Sequence, residues 1–158
     1  MRRWIAPLIA VALTGLAAAP AFAGPAEVAF LQRLSANWTG HGRLVGAQSG
    51  PVTCRIQISS GGQTAHYQGR CTIPDAAAQA FNGSISYDDA THHYISRSIG
   101  GDTIGVRHGD TLTFTNKTNS MMGRTYSTMR ISPSSLVIDF AIVDQDGSKT
   151  SSTISFTH

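Results

Sequence analysis

From position 38 onward, apolar and polar side chains alternate with a period of two, and turn-forming residues interrupt the alternation at short intervals. A period of two places successive side chains on opposite faces of a strand, so the pattern predicts half-buried β-strands. Ten segments carry it: 38 to 45, 51 to 60, 65 to 73, 79 to 87, 92 to 99, 103 to 108, 111 to 116, 124 to 132, 136 to 143 and 149 to 157. The links between them include Gly61-Gly62, Asp88-Asp89, Gly100-Gly101-Asp102, His108-Gly109-Asp110 and Asp146-Gly147-Ser148, whose backbones favour tight turns. Only 26 to 35 departs from this period. There Val28 and Leu31, and Phe30 and Leu34, stand three and four apart, with Glu27 and Arg33 off that stripe, which predicts one short amphipathic helix.

The hairpin around Gly61-Gly62 tests the reading. A four-residue loop over 61 to 64 sets Ser60 opposite Ala65, after which Ile58 faces Tyr67, Ile56 faces Gly69, Cys54 faces Cys71 and Val52 faces Ile73. Opposed residues of an antiparallel pair are close enough to cross-link, so one register satisfies both an apolar face and a disulfide. Thr53, Arg55, Gln57 and Ser59 fall on the solvent face. Near the end of the chain, Leu136, Ile138, Phe140 and Ile142 share one face and Ile154 and Phe156 another, leaving Ser and Thr outward. A meander of eight to ten such strands exposes two edges unless it closes, so the expected fold is an all-β antiparallel up-and-down barrel preceded by one helix. A two-sheet sandwich has the same alternation and stays open at this point.

The first 23 residues stand apart. Arg2 and Arg3 precede an uncharged apolar stretch, and Ala21-Phe22-Ala23 has the small-x-small pattern of a signal peptidase site. We therefore expect residues 1 to 23 to be a cleaved signal peptide and 24 to 158 to be one barrel domain, periplasmic or secreted, with no integral membrane anchor after cleavage. Losing Arg2 and Arg3 takes the 12 basic residues to 10 against nine acidic ones, so the formal net charge falls from +3 to +1. That balance, with no Lys/Arg cluster, lacks the electrostatic footprint of a nucleic-acid binder. Two cysteines in an exported chain have a single intramolecular connectivity, Cys54 with Cys71.

A short helix followed by Asn37-Trp38-Thr39-Gly40-His41-Gly42 at the start of the first strand resembles the lipocalin-like, or calycin, superfamily of bacterial envelope barrels. The tryptophan followed by a disulfide between the next strands is also similar to small periplasmic barrels that inhibit metalloproteases, and the Trp38-x-Gly-x-Gly strand to haem-binding nitrobindin barrels. The lipocalin resemblance implies that Trp38 closes the barrel bottom. The chain departs from that pattern in having Ser35 and Ala36 where a Gly precedes the Trp. Lys149 is the nearest candidate for the basic residue that covers the Trp from the last strand. For nitrobindin, no single position answers to the iron-ligating His.

Six histidines are available, His41, His66, His92, His93, His108 and His158, but none shows a recognised ligand spacing, and His92 and His93 project to opposite faces of a strand. No metal or cofactor is expected. No Ser lies in a G-x-S-x-G elbow, and the acids fall in turns except Asp139, which alternation places outward, so no catalytic residue is expected and the domain is read as non-enzymatic. The remaining candidates are Met121 and Met122 in the polar link 119 to 123 and Phe30 on the helix, as contacts for a ligand or partner. The expected function is binding of a small apolar ligand in the cell envelope. The alternative is a protein-protein module such as a periplasmic protease inhibitor.

Overall fold

The computed structural model describes residues 24–73, 78–121 and 123–158. The expected signal peptide and Met122 lie outside the described residues. Helix α1 spans Pro25–Arg33. Pro25 suits the first helical turn, where its missing N–H is no loss, and Glu27 near the start and Arg33 near the end complement the helix dipole. Phe30, Leu31 and Leu34 are fully buried.

Ten strands follow: β1 Ala36–Gly46, β2 Gly50–Gly61, β3 Thr64–Thr72, β4 Gln79–Asp88, β5 His93–Ser98, β6 Gly101–His108, β7 Thr111–Ser120, β8 Gly123–Ser132, β9 Ser135–Asp144 and β10 Lys149–Thr157. Each pairs antiparallel with the next, and β10 pairs with β1, so the meander closes into a barrel and leaves no unpaired edge. The barrel decides against the sandwich.

The predicted hairpin register holds: Ser60 pairs with Ala65, Ile58 with Tyr67, Ile56 with Gly69 and Cys54 with Cys71. Cys54 and Cys71 form the disulfide. Pairing continues to Gly61 and Thr64, so the loop is tighter than expected, and Gly62, at φ +60°, supplies the left-handed backbone it needs. The same tightening occurs between β7 and β8. The strands run through Ser120 and Gly123, so pairing extends into the expected polar link, with Met121 beyond the last residue of β7.

Inside the barrel, four directly paired positions place an aromatic ring against a glycine on the neighbouring strand: Phe156 against Gly40, Phe81 against Gly69, Tyr67 against Gly83 and Phe114 against Gly105. A Cβ at any of these glycines would overlap the ring. The absence of a Cβ at these glycines leaves room for the facing ring against the inner wall.

Candidate functional site

The two ends of the barrel differ. Helix α1 sits over the end that carries the β2–β3, β4–β5, β6–β7 and β8–β9 turns. Ser60 Oγ donates to the Leu31 carbonyl at 2.8 Å, Arg33 pairs with Asp110 at 2.9 Å, and the Phe30 ring meets Tyr94 edge-on at 5.7 Å. The Arg107 guanidinium lies 4.0 Å over the Phe30 ring and donates to the Gly109 carbonyl at 2.8 Å. Burial raises the Tyr94 pKa above its ordinary value, with Arg107 acting in the opposite direction. Phe30, expected as a contact surface, is therefore part of a plug. Trp38, near the start of β1, is buried at the same end, at 1% exposure. The residue that covers it is His158, whose ring meets the indole edge-on at 4.3 Å. Lys149, the candidate for that position, begins β10 next to Val143 and lies at the opposite end of the barrel.

At that opposite end part of the inner wall is accessible, while Leu44 and Val52 beside the β1–β2 turn are buried. Tyr67, Phe81, Met129, Ile138 and Phe140 face inward yet are only partly buried, and Ile142 at the rim is 39% exposed. Successive cross-strand partners Ser152, Phe140, Ser127 and Asn116 form one inward row, with Ile154, Ile138, Met129 and Phe114 one step deeper. Across the lumen, Tyr67 and Ser96 share a hydrogen bond at 3.1 Å between their hydroxyls. Ser152 is 6% exposed, and its Oγ has no hydrogen-bond partner among the described residues. A buried hydroxyl without a partner costs free energy, and a polar atom of a bound molecule would recover it.

Ser152 also corrects the reading of the last strand. Thr150 and Ser152 are buried on the inner face with Ile154 and Phe156, where outward Ser and Thr were expected. Alternation from Ile154 already carried that signal; residue polarity masked it. Asp139 faces outward, accepting from Arg130 Nη2 and Thr153 Oγ1, both at 2.6 Å. Met121 is 89% exposed at the open rim, and Ile99 is fully exposed on the β5–β6 turn of the same rim. Phe30 and Met121 thus occupy opposite ends and form no common site. Among the described residues, no three His, Cys, Asp or Glu side chains converge on one point.

No family model matches the sequence, and no curated protein matches it. Solved structures do match the fold. The S-type phycobiliprotein lyase CPES from Guillardia theta superposes with a TM-score of 0.59 at 12% identity, covering 82% of this chain and 90% of that one. Rv2717c from M. tuberculosis superposes with a TM-score of 0.55, also at 12% identity, covering 89% of this chain and 99% of that one. This chain shares its barrel fold with both. The likeness corrects the expectation of a non-enzymatic domain, which rested on missing catalytic motifs: the same barrel, matched over most of its length, is the framework of a lyase.

Proposed function

We propose that the protein binds a small, largely apolar molecule in the open half of its barrel, with access between the hairpin tips that carry Ile99 and Met121. One observation carries this reading. Inward-facing aromatic and aliphatic residues are fully buried beneath α1, whereas at the other end Leu44 and Val52 are buried but Phe81, Met129, Ile138 and Phe140 are only partly so and line the wall with a few polar groups, the usual composition of a small-molecule site. Phe140, Ile138, Met129 and Phe81 supply apolar contact, and Ser152, Ser127 and Asn116 supply hydrogen bonds along one arc. The likeness to a lyase of bilin-bearing proteins is consistent with a barrel that holds its ligand while chemistry is done on it.

Export belongs to the same proposal. It is supported by the Cys54–Cys71 disulfide, which suits an oxidising compartment, and by the pattern of residues 1 to 23. No helix among the described residues is long and apolar enough to cross a membrane. The rival role, a module that docks on a protein such as an envelope protease, is favoured by the exposed Ile99 and Met121.

Native mass spectrometry of the protein isolated from its own cells, without refolding, tests both parts. A polypeptide beginning at Gly24 with a reproducible small-molecule adduct released on denaturation is the expected result. An adduct-free mass in every preparation overturns ligand binding, and a retained residue 1 overturns cleavage.

A further inference from the structure

From Val28 to Pro74 the sequence contains no Asp or Glu, while Arg33, Arg43, Arg55 and Arg70 fall within it. Four arginines are balanced: Arg97 lies 3.5 Å from Asp102, Arg107 3.7 Å from Asp110 and Arg130 2.6 Å from Asp139, and Arg33 reaches across to Asp110. Among those without such a pair, Arg55 and Arg70 stand out because they face each other. They are direct cross-strand partners on the outer face of β2 and β3, both exposed, and neither has a carboxylate partner among the described residues.

Like charges directly opposite one another destabilise a strand pair. Here the chain neighbours of the two arginines, Cys54 and Cys71, are joined by the disulfide on the inner face. The covalent link holds the strands together where the charges push them apart, so the guanidiniums stand side by side on a fixed base. They line an outer cleft of about 570 Å³ whose remaining polar groups include Asn37, Thr39 and Asn82. In the adjoining row Gln68 Nε2 donates to Gln57 Oε1 at 2.8 Å, which leaves the Gln57 amide N–H groups to donate. The cleft is rich in donors and carries two positive charges with no carboxylate against them among the described residues.

We infer that Arg55 and Arg70 form a binding site for a tetrahedral oxyanion, a phosphate or sulfate group, on the outer wall of the barrel. Two guanidinium forks fixed at strand spacing match the oxygens of such an anion, and its charge removes the repulsion between them. The site is separate from the lumen: Arg55 and Arg70 point outward between residues that point in.

The test is thermal unfolding of the mature, oxidised protein in sodium phosphate against sodium chloride at equal ionic strength, with titration calorimetry of inorganic phosphate. The wild type is expected to gain several degrees in phosphate. R55Q/R70Q is expected to start at an equal or higher Tm in chloride and to lose the phosphate response. Each single Gln substitution weakens binding by roughly tenfold or more, as the loss of a charged hydrogen bond implies. R55K/R70K keeps the charges without the forks and retains only weak binding, and Cys54→Ser/Cys71→Ser lowers the affinity by freeing the strands. Vesicles of phosphatidylcholine with one-tenth phosphatidic acid identify the source of the group. Co-sedimentation lost in R55Q/R70Q places it on a lipid, and phosphate binding without co-sedimentation places it on a soluble molecule. Equal stability of the wild type in phosphate and chloride, or an equal phosphate response in R55Q/R70Q, overturns the site.

Discussion

Beneath α1, Phe30, Leu31, Leu34, Trp38, Leu112, Ile131 and Leu136 meet with no more than 1% exposure, whereas at the opposite end Phe140, Ile138, Met129 and Phe81 point into the same barrel and remain partly open to solvent. The strands are continuous from one end to the other, so the difference lies in what covers each end: a helix with an apolar stripe on one side, inter-strand links without such a helix on the other. One end is fully packed and the other leaves part of its apolar surface open to solvent. The contrast fixes where a substitution acts on folding and where it acts on binding.

The largest expected effect is at the closed end. Trp38→Ala removes a fully buried ring and leaves a cavity beside His158, with an expected loss of about 3–5 kcal/mol in urea unfolding. Cys54→Ser/Cys71→Ser comes next, at about 3 kcal/mol, since the bridge spans a sequence separation of 17. Phe140→Ala sharpens the contrast from the other side. A half-buried ring at the open end costs only about 1 kcal/mol in stability, while native mass spectrometry should show loss of the bound molecule. An equal stability cost at Trp38 and Phe140 would remove the distinction between the ends.

A smaller effect concerns pH. Burial raises the Tyr94 pKa, so the folded state favours the protonated phenol and the unfolded chain ionises first. The associated stability is intact below the ordinary tyrosine range and is lost as pH rises through the folded-state pKa. The fall should weaken in Tyr94→Phe, followed by circular dichroism in alkaline titration. Asp88 and Asp146 shift the other way, because backbone N–H groups of Thr91 and Ser148 donate to their carboxylates. Their contribution is present at neutral pH and lost as pH falls below the ordinary carboxylate range.

Much of the fold was legible because it is local. All ten strands, the helix and the Cys54–Cys71 register follow from alternation, turn residues and one short hairpin, each decided within neighbouring stretches of chain. The site was not. Phe30 was correctly placed on the apolar stripe of a helix, but a stripe does not say what it covers, and here it covers the barrel end and is buried. Ser152 was read outward from its polarity, against the parity it shares with Ile154 and Phe156. The distinction between open and closed ends depends on rows of partners such as Ser152, Phe140, Ser127 and Asn116, drawn from four strands, which no local pattern brings together.

The most direct test of the account is a methyl-labelled NMR titration of the mature protein with dodecanoic acid as an amphiphilic probe. Saturable shifts at Met129, Ile138 and Ile142, with Leu112 and Ile131 unmoved, are the predicted result. Shifts confined to the outward Ile104 and Val106, or none at the inner wall, would contradict binding in the open half of the barrel.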